Sequence, residues 1–244
     1  MAAEAKTAPL PPILLPRFWR LVGKTVALKW KYRANPEKTY GAYLDEYYNT
    51  ANTQNDVAFY GDAWHEVRSL VVSEVGLDRG DTVLDVATGR GYQAAAFAQR
   101  GYPTVGMDLV HSRARESRSQ QDDEALQWAS GSATDLPFKD NAFDAVTISL
   151  ALHAMPPRER LAALRELRRV AAKRVVILEP RAWDWWPAKP FYAAMGHVMD
   201  ESLFFFRFAM NDLDRRFSGI GLRLLRLRRC YVGDILAIYV CEPM

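Results

Sequence analysis

The chain has 244 residues, of which 49% are apolar and 25% are charged, a composition that supports a full hydrophobic core and excludes a disordered protein. A net charge of +3 does not indicate nucleic-acid binding, so no nucleic-acid partner is expected. The charge is uneven, because residues 1–33 carry seven Lys and Arg side chains against Glu4 alone.

Cysteine, histidine and hydropathy patterns set limits on compartment and cofactors. The two cysteines, Cys230 and Cys241, are too few for a disulfide scaffold and are expected to be buried thiols in a reducing compartment. The four histidines share no metal-ligand spacing, so no metal is expected. No apolar run reaches the roughly 18 residues of a membrane span, and the Pro-rich first 16 residues lack the order of a secretory signal. These patterns predict a cytoplasmic protein.

Residues 1–36 are predicted to form a flexible leader and a basic amphipathic helix, ahead of a domain at 37–244. Within 17–33 an apolar residue recurs at every fourth position beside a basic face. This pattern is typical of a helix on a membrane surface, which would give peripheral contact through 17–33 on the inner face of the membrane. It also suits a helix packed on its own domain, and both interpretations stay open. The apolar positions are Phe18, Val22, Val26 and Trp30.

Residues 37–75 are predicted to be helical up to a C-cap at Gly76. After Gly76, short apolar runs alternate with helical patterns. Such alternation predicts parallel strands in an α/β, doubly wound sheet. The predicted strands are 82–88, 103–109, 125–131, 143–152 and 174–180, and the predicted helices are 93–100, 112–121 and 157–171.

Two later segments depart from this alternation. Residues 181–210 are rich in aromatic side chains and contain Pro187 and Pro190, so they are not expected to form a simple crossover helix. Residues 222–242 form two apolar segments around Gly233-Asp234, a dipeptide that suits a tight turn. They predict an antiparallel strand pair at the sheet edge, which brings the expected total to seven strands.

The stretch VLDVATGRGYQA, residues 83–94, places a glycine turn between a strand and a helix. Gly89 and Gly91 fit the dinucleotide-binding pattern, and Asp108 lies about 20 residues further on, where an acid would hold a ribose. Asp85 favours a different ligand, because a carboxylate beside the turn repels a pyrophosphate and attracts a cationic amine. S-adenosylmethionine has such an amine and no phosphate. The pattern therefore favours this ligand, with a nicotinamide-dependent oxidoreductase as an alternative.

Four stretches carry a resemblance to a known family: VLDVATGRG, VGMDLV, GSATDLPFKDNAFDAVTISLALHAM and ELRRVAAKRVVILEP. Across residues 40–180 the chain resembles the class I S-adenosylmethionine-dependent methyltransferases, and most of all the branch of ubiquinone and menaquinone biosynthesis. The wording LPFKDNAFDAV is more specific than the glycine turn. The resemblance implies a Rossmann-like doubly wound sheet, a fold that the C-terminal antiparallel pair suits, and it implies that the aromatic insertion at about 181–210 is a substrate cap. Together with the helical pattern near the N-terminus, the expected architecture is a seven-stranded sheet with a helical N-terminal extension and this cap.

The resemblance also implies a cofactor site for S-adenosylmethionine at the ends of the first four strands. Asp85, Gly89 and Gly91 would contact the methionine and ribose side, and Asp108 would take both ribose hydroxyls. The full set of cofactor-binding residues that it implies is Asp85, Ala87, Gly89, Gly91, Asp108, Leu109, Ser132, Ala133 and Ser149.

The sequence departs from the family pattern at several of these positions. Ala87 occupies a position that is often Gly. Ser132 replaces an Asp that commonly takes the adenine amine, so the adenine contact is weaker or uses Asp135. His153 is followed by Ala154 where relatives often have a His pair. Ser132 and the missing second His keep a catalytically silent, methyltransferase-like assembly or scaffold subunit as an alternative.

His153 is the candidate catalytic residue, because methyl transfer needs a base where the acceptor must lose a proton. It would act as a base or orienting group toward a hydroxyl or an enolisable ring. The aromatic segment suits a flat or prenylated acceptor. The sequence therefore predicts methyl transfer to a small lipophilic or aromatic acceptor, quinone-like or another lipid type, and leaves the acceptor atom and the oligomeric state open.

Overall fold

The computed structural model describes residues 16–50, 55–109, 124–199, 202–231 and 234–244. Three helices precede the sheet: α1 (Pro16–Tyr32), α2 (Pro36–Thr50) and α3 (Asn55–Glu74). They confirm the helices predicted between residues 17 and 75, and Gly76 follows α3 with a φ of 65°, the left-handed conformation of a C-cap. The predicted leader before residue 16, the predicted helix 112–121 and Gly233 lie outside the described residues.

A seven-stranded sheet forms the centre of the molecule, in the order β3-β2-β1-β4-β5-β7-β6. The first five strands run parallel to their neighbours, and β7 runs antiparallel between β5 and β6. The predicted doubly wound α/β fold with a C-terminal antiparallel pair is therefore confirmed. The strands are β1 (Val83–Val86), β2 (Thr104–Asp108), β3 (Leu126–Ser130), β4 (Phe143–Ser149), β5 (Ala171–Pro180), β6 (Leu222–Cys230) and β7 (Leu236–Pro243).

The parallel strands are linked by helices that cover the sheet. Helix α4 (Tyr92–Ala98) follows β1, and α5 (Pro157–Val170) follows β4 and buries Leu164 and Leu167 completely. All four residues of β1 are buried, which is the burial pattern expected of a strand covered on both faces. The predicted fourth strand, 143–152, ends earlier at Ser149, because Leu150 has a φ of 53° that no extended strand can continue through.

The described part of the aromatic segment 181–210 folds into short helices, so it is not a simple crossover helix, as predicted. A 3₁₀ turn at Trp186–Ala188 is followed by α6 (Lys189–Met199) and α7 (Phe205–Ala209). Helices α6 and α7 pack closely, since a Cβ atom built on Gly196 would lie 2.1 Å from the ring of Phe205. The function of this segment as a cap stays a prediction.

The N-terminal helix α1 packs on the rest of the chain through one face. Thr25 and Lys29 are buried, and the Lys29 ammonium donates a hydrogen bond to the backbone carbonyl of His197 in α6. Val26 and Trp30, from the predicted apolar stripe, are 44% and 67% exposed. One face of α1 therefore packs on the domain while part of its apolar stripe faces outward. The side chains of Phe18 and Val22 lie outside the described part of the chain.

The two cysteines are free and buried in β6 and β7, as predicted. Burial raises the pKa of Cys230 to about 11 and that of Cys241 to about 12, so both are protonated thiols at neutral pH. Among the helices that the structure describes, none combines the length and the apolar character needed to cross a bilayer.

Candidate functional site

The carboxyl ends of β2, β1 and β4 meet at one edge of the sheet, on either side of the point where the strand order reverses. Ligands of doubly wound sheets bind in this crevice. Asp108 ends β2, Ala87 follows β1, and Ser149 ends β4. The fold thus places predicted cofactor residues from three strands at one edge.

The turn after β1 has an unusual backbone. Ala87, Gly89 and Gly91 have φ angles of 55°, 57° and 75°, so three of five consecutive residues are left-handed. Ala87 carries a Cβ in this conformation at a cost of about 1–2 kcal/mol, which is the physical reason that a glycine suits the position. Leu150, just beyond the neighbouring β4, has the same strain. Backbone strain of this kind is found most often at functional sites.

Gly91 has a packing function that the sequence did not indicate. A Cβ atom built on Gly91 would lie 2.0 Å from the ring of Trp128 in β3, and one on Gly106 in β2 would lie 2.8 Å from it. The indole therefore fills the space that the two glycines leave. Gly91 also forms the N-terminus of α4. Its backbone contact with a cofactor remains a prediction.

Asp108 joins the end of β2 to the glycine turn. Its Oδ2 atom accepts a hydrogen bond of 2.8 Å from the Gly89 backbone N–H, and the residue is 6% exposed. Two groups predicted to face a ribose thus lie within hydrogen-bond distance of each other. This contact fixes the direction of the carboxylate before any ligand binds.

Asp85 is buried and has two partners within the protein. Its Oδ1 atom accepts a hydrogen bond from the Thr147 hydroxyl at 2.7 Å, and Oδ2 accepts one from the Thr88 hydroxyl at 2.6 Å. Burial raises the pKa of Asp85 to about 6, although both hydroxyl hydrogen bonds oppose this. The carboxylate therefore ties the turn to β4. Its direct contact with a cationic amine stays a prediction.

The remaining predicted cofactor residues lie at the same edge in different surroundings. Ser132 follows β3, and its hydroxyl lies 2.8 Å from the Thr134 hydroxyl. The neighbouring Ala133 packs against the main core, and Leu109 is 64% exposed directly after β2. The hydroxyl of Ser149 is buried with no hydrogen-bond partner among the described residues. A buried polar atom of this kind needs a partner from water or a ligand, so the edge fits a hydroxyl-bearing cofactor.

His153 forms a buried pair with Glu179 beside this edge. The Nδ1 atom of the ring lies 2.7 Å from Oε2 of Glu179, and the two side chains are 4% and 0% exposed. Because an ionised carboxylate can only accept a hydrogen bond, the contact places a proton on Nδ1. Oxygen atoms of Glu179 also accept hydrogen bonds from the backbone N–H groups of Ala151, Leu152 and His153. Glu179 thus fixes the orientation of the His153 ring and the backbone of the turn that carries it.

Further side chains fix the turn that carries His153. The Arg160 guanidinium donates hydrogen bonds to the carbonyls of Leu152 and Met155, at 2.7 and 2.9 Å. Burial lowers the pKa of Arg160 to about 10, and attraction to Glu179 opposes this, so Arg160 stays charged at neutral pH. On the other side, the Ser202 hydroxyl donates to the carbonyl of His153 at 2.8 Å.

Sequence reasoning identified His153 but missed Glu179 and Arg160. The available signal for Glu179 was an acid within the apolar stretch RVVILEP, since a charge in a buried strand needs a partner. Rings of α7 cover the pair: the centroids of Phe205 and Phe208 lie 5.8 and 6.1 Å from that of His153. The aromatic segment therefore packs directly on the candidate base.

Comparisons with known proteins agree with this geometry. Residues 84–178 match the family model of the methyltransferase domain. The chain is 35% identical to a demethylmenaquinone methyltransferase of Renibacterium salmoninarum over 136 residues, 55% of this chain and 56% of that protein. It is 34% identical to a ubiquinone/menaquinone biosynthesis C-methyltransferase of Burkholderia mallei over 138 residues, 53% of this chain and 54% of that protein. The matches thus span little more than half the length of these relatives.

A solved structure with a similar fold is the magnesium protoporphyrin IX methyltransferase of Synechocystis with bound S-adenosylhomocysteine. Its TM-score is 0.65 at 16% identity, and the match covers 84% of this chain and all of that one. At this identity the likeness shows the fold alone. Residues 84–178 thus match a methyltransferase domain, and the fold of the chain is the Rossmann-like fold of class I methyltransferases. The two curated relatives to which the chain is similar carry names of menaquinone and ubiquinone biosynthesis.

Proposed function

We propose that this chain transfers a methyl group from S-adenosylmethionine to a small lipophilic or aromatic acceptor, quinone-like or of another lipid type. The observation that carries the proposal is the placement of the glycine turn, Asp108 and the buried His153–Glu179 pair along one edge of the sheet. One end of this edge suits the cofactor, and the other suits an acceptor that must lose a proton.

Residues of β1, β2 and β4 would hold the cofactor, which when bound supplies an electrophilic methyl group on a sulfonium. Asp108 is proposed to accept hydrogen bonds from the ribose hydroxyls, because its carboxylate is already aimed by Gly89. The unpaired hydroxyl of Ser149 is proposed to donate to the ligand at the end of β4. Asp85 would attract the cationic amine from beneath the turn. Leu109, Ser132 and Ala133 are proposed to line the adenine side.

His153 is proposed to take the proton of the acceptor. Because Glu179 holds a proton on Nδ1, the Nε2 atom of a neutral His153 ring is the atom that would take the proton. We propose Glu179 as a positioning residue for this ring, since it also binds three backbone N–H groups of the turn. Phe205 and Phe208 would exclude water from the proton transfer.

The proposed acceptor is apolar, because the groups that enclose His153 are mainly aromatic. Two relatives are named for menaquinone or ubiquinone biosynthesis, which supports a quinone-like ring as the acceptor. Peripheral membrane contact through residues 17–33 is part of the proposal, supported by the exposure of Val26 and Trp30 on a helix with basic side chains. Such contact would bring the chain to the place where lipophilic acceptors reside.

Two titrations and one transfer assay test the proposed function. S-adenosylhomocysteine and NADH are titrated separately into the full chain, and only the former is expected to bind, at micromolar concentration. Binding of NADH alone would favour an oxidoreductase. Radiolabel from the methyl group of S-adenosylmethionine is then followed into a lipid extract. Cofactor binding without any transfer would favour the silent scaffold subunit.

A further inference from the structure

Helix α6 has two faces of different character. Its inner face carries Tyr192, the fully buried Ala193, and Gly196, which lies against the ring of Phe205. Its outer face, defined here as Phe191, Met195 and Val198, is 65%, 47% and 48% exposed. The outer residues follow a spacing of four and three positions, so they form one stripe on the helix. A stripe of large apolar side chains open to water indicates a surface that binds something.

The inner face links α6 to the candidate base. Gly196 lies against Phe205, and the ring centroid of Phe205 lies 5.8 Å from that of His153. One aromatic side chain therefore separates α6 from the proposed acceptor site. Whatever covers the outer face of α6 would be separated from the proposed acceptor site by this helix and by Phe205.

Charge identifies the kind of partner. Helix α6 contains no acidic residue, and neither does α1, to which it is joined through Lys29 and the carbonyl of His197. The exposed Lys24 of α1, and Arg33 directly after this helix, accompany its exposed apolar residues, and the Arg33 guanidinium lies 3.5 Å from the ring centroid of Trp30. Lys31 of α1 and Lys189 of α6 pair with Glu46 and Asp212 of neighbouring segments. Adjacent helices that combine exposed apolar side chains with cations, and that contain no acidic residue of their own, are complementary to an anionic lipid surface.

We propose that the outer face of α6 docks, together with α1, on an anionic lipid bilayer surface, so that α6 brings the site of His153 to the lipid. This extends the membrane contact proposed for residues 17–33 to a second helix and assigns it a direction relative to the site. It rests on the proposed function only for the identity of the acceptor. The docking itself depends on exposed side chains and charge.

Vesicle sedimentation of the full chain tests the docking. The probes are vesicles of phosphatidylcholine alone and of phosphatidylcholine with about one third phosphatidylglycerol. The test variant combines Phe191→Gln, Met195→Gln and Val198→Gln, all at exposed positions. Leu225→Gln is the matched control, because Leu225 is a 43% exposed apolar residue on β6, far along the chain from α6.

We expect the wild type and Leu225→Gln to bind the anionic vesicles, and the triple variant to bind them about tenfold more weakly. Equal binding by the triple variant and the wild type would overturn the proposal. A second result would also overturn the proposal: the wild type does not bind vesicles and forms a dimer, and the triple variant is monomeric. The outer face of α6 would then bind a second copy of the chain.

Titration of S-adenosylhomocysteine into the same samples separates this proposal from the proposed function. The triple variant is expected to bind it as the wild type does, because α6 contributes none of the proposed cofactor residues. If no sample bound the cofactor while vesicle binding still required the outer face of α6, the docking would be supported and the proposed function would fail.

Discussion

The two ends of the site edge are built by different means. At the end formed by β1 and β2, two hydrogen bonds fix a strained backbone turn: the Gly89 N–H donates to Asp108, and the Thr88 hydroxyl donates to Asp85. At the end formed by β4 and β5, a fully desolvated histidine–carboxylate pair lies under aromatic rings. The first end offers backbone N–H groups and an aimed carboxylate, which suit recognition of a fixed ligand. The second offers a ring of defined tautomer in a dry site, which suits proton transfer.

This difference predicts that chemistry and cofactor binding can be separated by mutation. His153→Ala should reduce methyl transfer by about 10²- to 10⁴-fold, the usual contribution of a general base. Its effect on S-adenosylhomocysteine affinity should be small, since the ring belongs to the other end. Radiolabel transfer and calorimetric titration measure the two quantities. His65→Ala is the matched control, because His65 is exposed on α3 and should leave both unchanged. If His153→Ala lost methyl transfer and cofactor affinity together, catalysis and cofactor binding would depend on the same residues and could not be separated.

The buried carboxylate of Asp85 should make stability depend on pH. Burial raises its pKa from 3.8 to about 6, so Asp85 ionises at a higher pH in the folded state than in the unfolded state. The contribution of protonated Asp85 to the free energy of unfolding is fully present below about pH 4. It is lost as the pH rises through 6. This loss is roughly 3 kcal/mol, at 1.36 kcal/mol per pKa unit.

The measurement is the free energy of unfolding in urea at several pH values, for the wild type and Asp85→Asn. Asparagine does not ionise, so the wild type should lose about 3 kcal/mol relative to this variant between about pH 4 and pH 7. Asp78→Asn, at an exposed position, serves as the control. Parallel curves for the wild type and Asp85→Asn would show that the buried carboxylate has no raised pKa.

Steric strain of the glycine turn gives the next largest effect. Gly101→Ala should cost about 1–2 kcal/mol of stability, because Gly101 has a φ of 84° but nothing within 4 Å of its added Cβ. Gly91→Ala should cost roughly 1–3 kcal/mol more, since its Cβ also meets the ring of Trp128. The free energies of unfolding of both variants in urea are measured, and their difference gives the cost of the contact with Trp128. Equal costs would show that Trp128 moves away freely.

The pair at the β4–β5 end can be tested without removing the ring. Glu179→Gln puts an amide donor near Nδ1 and favours the opposite tautomer of His153, so methyl transfer should fall about 10- to 100-fold. The pH–rate profile should change shape as well, which a merely structural effect would not produce. Glu242→Gln, which removes an ion pair with Arg223 on the far edge strand, is the control. An unchanged profile for Glu179→Gln would remove Glu179 from its proposed positioning function.

The smallest expected effect concerns the cofactor end. Asp85→Ala should weaken S-adenosylhomocysteine binding by an order of magnitude or more, about 1.4 kcal/mol per tenfold, because the amine loses its nearest predicted anion. Thr147→Val is the comparison, since it removes one hydrogen bond of Asp85 and keeps the charge. Unaltered affinity in Asp85→Ala would leave Asp85 a purely structural residue.

The sequence determined most of the fold because its signals are local. Strand and helix periods identified β1 to β5 within a few residues, and the segment around Gly233-Asp234 predicted the antiparallel pair. The exception was the end of β4, where the left-handed Leu150 gave no signal in a continuous apolar run. Backbone strain of a non-glycine residue depends on its neighbours in space, which periodicity does not register.

The glycine turn, Asp85 and Asp108 could likewise be named from the sequence as the candidate site, because a strand–turn–helix unit carries its spacing along the chain. The pairing of His153 with Glu179 could not. It depends on β5 lying beside β4, where the backbone N–H of Leu150 bonds to the carbonyl of Leu178, and so on the order of strands in space.

The tertiary structure alone decided which aromatic residues enclose the candidate base and which face outward. Phe205 is buried against His153, whereas Phe191 is 65% exposed, although both belong to the same aromatic segment. Composition treats the two rings alike. Only the packing of α6 on α7 separates them, because burial is a property of contacts between elements and not of residue type.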